Sequence, residues 1–188
     1  MPKLILQEFV TVDGFAAGPN DSIDFIPQST AGDASFGHAQ QELIESIGTI
    51  LLGTKTYRMF SGYWPNVSEG PEKPFADRVN ATKKVVFSKT LERAPWGKWD
   101  EASIVKTNAV DEVANLKRGK GRDILIWGSI ALAQSLMKAS LIDEYRLVVC
   151  PLTLGGGRPL FANTNTAVKL VEAHAHDRGA VSLVYATT

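Results

Sequence analysis

The chain has 188 residues, 44% of them hydrophobic, and its twenty Lys and Arg balance twenty Asp and Glu. That is a globular composition, and the lack of a basic excess excludes the field-driven binding of nucleic acid. No apolar run approaches the ~20 residues of a membrane-spanning helix. Met1-Pro2-Lys3 leads into a strand pattern rather than a signal-peptide core, so one cytoplasmic domain with no membrane partner is expected.

Residues 4–12 read as a buried strand closed by the turn pair Asp13-Gly14. Residues 16–32, rich in Gly, Pro, Asn, Asp and Ser, read as a loop. Residues 34–47 place Ala39, Leu43, Ile44 and Ile47 at helical spacing. A strand at 49–52 runs into a helix opening near Thr54, and the prolines and glycines of 61–74 mark a second loop. A short helix at 75–81 leads to a strand at 84–88, whose flanking Lys83 and Lys84 read as solvated edge charges.

A loop holding Pro95, Trp96, Gly97 and Trp99 precedes a strand at 102–105. A helix at 110–117 ends at Gly119 and Gly121, where a glycine cap fits. A strand at 123–127 and a helix at 129–138 follow. The run 145–150 is a strand containing the one cysteine, Cys150, which reads as a buried thiol. Residues 151–159 form a loop with the glycine run Gly155–Gly157. Two alternating strands, 167–174 and 180–187, turn at 176–179. Strands separated by helices pair in parallel, and a terminal hairpin adds antiparallel strands. The expectation is an α/β, three-layer single domain over 1–188. It has a mixed, mostly parallel sheet of about eight strands, a C-terminal antiparallel hairpin and helices on both faces.

Two segments share a grammar. Thr49-Ile50-Leu51-Leu52 runs into Gly53-Thr54-Lys55-Thr56-Tyr57, and Ile124-Leu125-Ile126-Trp127 runs into Gly128-Ser129-Ile130-Ala131-Leu132. A glycine ending a buried strand lets backbone approach a ligand closely. The free N–H groups and hydroxyls that open the next helix form an anion site. Two such turns in one small domain point to a ligand with two phosphate groups, such as a dinucleotide. His174 and His176 share a strand face, but His38 is the only other histidine, so no metal site is expected and hairpin polarity is the reading.

The ordered series V-T-V-D-G, I-L-L-G-T-K-T-Y, V-V-F-S-K-T-L, I-L-I-W-G-S-I-A-L-A-Q-S-L, L-I-D-E-Y-R-L and P-L-T-L-G-G-G-R-P-L-F resembles the dihydrofolate reductase superfamily. The nearest branch is the one built like the C-terminal reductase domain of the riboflavin-biosynthesis bifunctional deaminase-reductase. The resemblance implies an NADPH-dependent reductase of a pterin- or ribosylaminopyrimidine-like heterocycle, and a homodimer. It also implies that Gly53, Thr54, Lys55 and Thr56 open a helix onto the cofactor's phosphates, and that Ser88, Lys89 and Thr90 lie near the adenosine 2′-phosphate. Gly128, Ser129, Ile130 and Ala131 would then face the pyrophosphate and nicotinamide. Asp13 and Gly14 would sit beside nicotinamide and substrate, with Asp13 as the candidate catalytic acid.

Departures from the family pattern are visible. Thr54 and Lys55 stand where an Arg often follows the first glycine, and Lys offers phosphate a point charge without the bidentate fork. Gly128-Ser129 replaces a pair of glycines often joined by a cis peptide. Folate reductases carry a carboxylate on the helix before the G-x-x-T strand, a position near Gly37 or His38 here. Two alternatives therefore stand beside the reductase: a non-catalytic nucleotide-binding module on the same fold, and a stand-alone dihydrofolate reductase.

Overall fold

A computed structural model describes residues 1–162 and 164–188. Its strands are β1 (Leu4–Thr11), β2 (Phe15–Ala17), β3 (Ile47–Gly53), β4 (Lys83–Phe87), β5 (Ser103–Val105), β6 (Asp123–Trp127), β7 (Glu144–Cys150), β8 (Arg158–Pro159), β9 (Val168–Ala175) and β10 (Val181–Thr187). Its helices are α1 (Phe25–Thr30), α2 (Ala34–Ser46), α3 (Thr54–Tyr63), α4 (Lys73–Ala81), α5 (Ala109–Arg118) and α6 (Ile130–Lys138).

Eight strands form one sheet in the order β5-β4-β3-β6-β1-β7-β10-β9, while β2 and β8 make a separate antiparallel pair. From β5 to β7 every pairing is parallel. β10 then lies antiparallel to both β7 and β9. The expected mixed sheet with a terminal hairpin is therefore the observed one.

Period-two alternation divides the core. Leu4, Leu6 and Val10 of β1 pack on one face with Val113 of α5 and Ala133 and Leu136 of α6. Ile5 packs on the other with Leu43 and Ile44 of α2, Tyr57 of α3 and Val79 of α4. Phe9 joins Phe25 of α1 on that second face. Every residue of β1 is buried, as a central strand covered on both faces requires. Every residue of β9, at the sheet's edge, is exposed.

The loop expected over 16–32 contains β2, a 3₁₀ turn (Pro19–Asp21) and α1. Glycine and proline punctuation hid α1, which is anchored by the buried Phe25 and by the Ser29 hydroxyl donating to the Phe25 carbonyl at 2.7 Å. The second loop is also shorter than its composition suggests. α3 runs on to Tyr63, and α4 opens at Lys73 with Pro74 in its first turn, where a missing N–H costs nothing. Gly119 ends α5 at φ −70°, so no left-handed glycine cap forms there.

Two polar residues, Lys84 read as a solvated edge charge and His176 read as a polar hairpin residue, are buried. Lys84 is 3% exposed because β4 is an interior strand. Its ammonium donates to the carbonyls of Val79 and Asn80 and lies 4.6 Å from the ring centre of the fully buried Trp96. Burial lowers its pKa to about 8. His176 is also buried, with one ring nitrogen 3.2 Å from Ser35 Oγ and the other 2.7 Å from Ser182 Oγ. These contacts tie the C-terminal hairpin to the start of α2.

Candidate active site

β4, β3, β6 and β1 are parallel neighbours, so the turns at their C-terminal ends lie side by side along one edge of the sheet. That edge carries Ser88 after β4, Gly53 at the end of β3, Gly128 after β6, and Asp13 beyond β1. Open α/β sheets bind ligands at this edge. Three strand spacings cover about 14 Å, room for an extended ligand rather than a single ring.

The two Gly-hydroxyl turns touch each other. The Gly53 N–H donates to Ser129 Oγ at 2.8 Å, and a Cβ added at Gly128 would lie 3.5 Å from the Thr56 methyl. Ser129 thus spends its hydroxyl sideways, and α6 begins without a side-chain cap. α3 likewise begins at Gly53 without one, whereas Asp33 caps α2 and Asn108 caps α5. The first N–H groups of α3 and α6 are therefore left for an anion, with both helix dipoles favouring negative charge.

The glycines serve different ends. Gly128 has φ +59° and needs its freedom. Gly53 has φ −80°, an ordinary extended value, and a Cβ there would make only ordinary contact with Ser129, 3.5 Å from its Oγ. Ser129 itself adopts the left-handed region at φ 62°, and the Gly128–Ser129 bond is trans.

Thr54 reaches towards β4, its hydroxyl 3.4 Å from the Phe87 carbonyl. Thr56 is buried beneath the second turn, while Lys55 is exposed. Lys55 Nζ lies 2.9 Å from Asp21, and Asp21 also meets Arg158 at 3.1 Å. Hydrogen bonds from Lys55 and then Arg158 hold the Asp21 carboxyl below its ordinary pKa. Ser88 is buried and its Oγ accepts from the N–H groups of Thr90 and Leu91, a serine turn that leaves Lys89 and Thr90 exposed.

Asp13, the candidate acid, is held by donors from its own turn and from the 154–155 loop. Its carboxylate accepts from the Thr11 hydroxyl at 2.5 Å, the Gly155 N–H at 2.8 Å and the Leu154 N–H at 3.1 Å. The Thr11 hydrogen bond, reinforced by those two backbone donors, lowers its pKa. A carboxylate held ionised by three donors clamps the 154–155 loop and is a poor proton donor. Gly14, at φ +84°, completes the turn beside it.

Reasoning from the sequence missed Gln7, Glu8, Gln40, Asp21 and Arg158. Two consecutive polar residues inside an otherwise apolar run were the signal for Gln7 and Glu8. Gly37 and His38, where a helix carboxylate was sought, are exposed, and His38 pairs with Glu42. The polar side chain that α2 buries is Gln40, and the Gln7 amide donates to it at 2.6 Å. Glu8 is 4% exposed, with Oε1 accepting from the Phe9 N–H and Oε2 sealed without a partner. Burial outweighs the Phe9 N–H and Arg158 and raises its pKa to about 8.

Among the described residues no helix is long and apolar enough to cross a membrane. The chain is 32% identical to Uncharacterized protein YyaP of Bacillus subtilis (strain 168), covering 97% of this chain and 94% of that one. It is 29% identical to Uncharacterized protein YwjB of the same organism, covering 89% and 87%. A solved protein of Shewanella sp. PV-4 named for riboflavin biosynthesis superposes with TM-score 0.75 at 22% identity, over 99% of each chain. Acinetobacter baumannii RibD superposes with TM-score 0.70 at 18% identity, over all of this chain and 58% of that one. Dihydrofolate reductase from Enterococcus faecalis, solved with NADP(H), superposes with TM-score 0.62 at 11% identity, over 99% and 96%. The fold is dihydrofolate-reductase-like. The RibD C-terminal domain matches residues 2–182, and the chain belongs to that family.

Proposed function

We propose that this protein is an NADPH-dependent reductase that transfers hydride to a pterin- or ribosylaminopyrimidine-like heterocycle. The observation that carries the reading is the contact of Gly53 with Ser129, which sets two uncapped helix starts side by side at the sheet edge. The N–H groups of Thr54, Lys55 and Thr56 would hold one phosphate of the cofactor, and those of Ile130 and Ala131 the other. Lys89 and Thr90, exposed after β4, would meet the adenosine 2′-phosphate, with Ser88 shaping their turn. The nicotinamide, when bound, supplies the hydride. The chain's own residues orient the two rings and exclude water. Membership of the RibD C-terminal domain family supports this reading.

Parallel titrations with NADPH and NADH, followed by nicotinamide fluorescence, test it. Micromolar, NADPH-selective binding is expected, and no binding of either nucleotide would end the proposal. The rival reading, a nucleotide-binding module without catalysis, is favoured by the clamped Asp13 and the sealed Glu8, which leave no evident proton donor. Tight NADPH binding with no oxidation across a heterocycle panel would select it. A folate reductase is disfavoured because α2 buries the uncharged Gln40, and methotrexate is expected not to bind.

We also propose a homodimer. The edge strand β9 exposes all eight of its residues, with Leu170 and Val171 at 51% and 64%, an unpaired apolar edge that isolated proteins usually cover. Sedimentation at micromolar concentration is expected to give the dimer mass.

A further inference from the structure

A neutral histidine is a base only at the ring nitrogen that carries no proton, and its partners decide which one that is. Around His176 they leave no choice. Asp33, the N-cap of α2, accepts from the Phe36 N–H at 3.0 Å, the Arg178 N–H at 2.8 Å and the Ser35 hydroxyl at 2.7 Å. Burial opposes them, but those three hydrogen bonds lower its pKa to about 2 and keep it ionised. The Ser35 proton therefore points to Asp33, and Ser35 Oγ accepts from His176 Nδ1, 3.2 Å away. Burial and then His174 lower the His176 pKa, so the ring is neutral at pH 7. With Nδ1 protonated, Nε2 holds a lone pair, and the Ser182 hydroxyl donates to it at 2.7 Å.

The hairpin turns this serine towards solvent. His176 is 4% exposed, with the edge of the Phe36 ring against it at 5.4 Å, whereas Ser182 is partly exposed. Ser182 stands directly opposite His174 of β9, and opposed residues project from one face of a sheet. His174 is exposed, its ring centre 4.9 Å from that of His176. One face thus gathers a hydroxyl, a base oriented through a second hydroxyl by a carboxylate, and a further ring N–H. β7 separates β10 from β1, so the cluster lies about 10 Å from β1 and apart from the two glycine turns. Edge pairing of β9 in a dimer would use its outer backbone and leave this face open.

We propose that Ser182 is a nucleophile for small acyl esters, with His176 as its general base and Ser35 and Asp33 as positioning residues. This activity is separate from hydride transfer. Ser182 Oγ bonds to the ester carbonyl carbon while its proton passes to His176 Nε2. The carbon–oxygen bond to the alcohol then breaks, and the alcohol leaves with that proton. Water, deprotonated by the same nitrogen, attacks the acyl-serine and releases the carboxylic acid as Ser182 recovers its proton. The His174 N–H donates to the carbonyl oxygen as charge develops on it. The ester must be small, because Val148 closes the inner side of Ser182 and His174 the outer side.

The test treats the full chain with phenylmethylsulfonyl fluoride, which bonds its sulfur to a serine Oγ as fluoride leaves. Peptide mapping by mass spectrometry is expected to place the adduct on Ser182, formed about a hundredfold faster than on Ser103, which is exposed on β5. p-Nitrophenyl acetate should give a burst of p-nitrophenol. Ser182→Ala should abolish adduct and burst, and His176→Gln should slow both about a hundredfold. His174→Ala should slow the burst about tenfold, an exposed donor contributing less than a buried one. Because His174 lies on the edge strand, that variant keeps the test decisive if His176→Gln fails to fold. Equal labelling of Ser182 and Ser103, no labelling at all, or a burst that survives in Ser182→Ala would overturn the proposal.

Discussion

Asp21 stands between two cations, 2.9 Å from Lys55 and 3.1 Å from Arg158, and so joins the segment after β2 to the start of α3 and to β8. Lys55 is also the residue best placed to meet a phosphate at that helix start. An incoming phosphate and the Asp21 carboxylate therefore compete for one ammonium. Lys55→Ala is expected to weaken NADPH about tenfold, and Asp21→Asn to tighten it by about threefold, in line with the modest worth of exposed ion pairs. Fluorescence titration reads both; identical affinities in the two variants would remove Lys55 from the site.

Ser129 makes a second prediction. Ser129→Ala loses the bond to Gly53 and keeps a left-handed residue at φ 62°, so it should cost about 1–2 kcal/mol in urea denaturation. Ser129→Gly loses the same bond but relieves the backbone, so it should cost less. The opposite ranking would mean that the left-handed backbone at position 129 carries no strain for a glycine to relieve.

Asp13→Asn separates clamp from catalyst. The variant retains an acceptor oxygen for the Leu154 and Gly155 N–H groups but loses the charge. If Asp13 is a clamp, kcat with any active heterocycle should stay within about threefold of wild type, while proteolysis in the 151–157 loop quickens, the carboxylate bonds being about twice as strong as neutral ones. A thousandfold fall in kcat with unchanged proteolysis would restore Asp13 to the chemistry.

Glu8 predicts a pH dependence of stability. Its folded pKa of about 8 stands above the ordinary 4.5, so across that window the folded state holds the proton that the unfolded state has released. Stability from this group is full below about pH 4.5 and is lost as pH rises towards 8, a loss on the order of a few kcal/mol. Glu8→Gln should flatten that slope in urea titrations taken at intervals across the window. His176, whose pKa burial and the neighbouring His174 lower, acts in the opposite sense below about 6.5. The informative quantity is thus the difference between the variant and wild type. An unchanged slope would show that Glu8 is hydrated and ionised in the folded protein.

The order of strands and helices was legible because the central strands are apolar on both faces and the helices between them carry their own spacing. The 53–56 and 128–131 turns were legible because glycine after a buried strand is a local signal. What escaped depends on contacts distant in sequence. Lys84 looks like a solvent charge until β4 is known to be interior. Gln40 looks like any helix glutamine until Gln7, 33 positions earlier, is placed against it. Asp13 sat in the expected turn, but the donors that occupy it come from residues 154 and 155.

Gly157 sets a limit on how this chain can vary. A Cβ there would fall 2.1 Å from the Ala17 carbonyl oxygen, and its φ of +144° is already unfavourable to other residues. Any side chain at 157 must push β2 outward, and the segment carrying Asp21 moves with it, away from Lys55. In a saturation library scored for cofactor binding, position 157 should tolerate almost nothing. Gly156, with open space around its α-carbon and no positive φ, should accept most substitutions two bonds' reach away. Adjacent glycines of one run would thus show opposite mutational profiles, set by a strand that precedes them by some 140 residues.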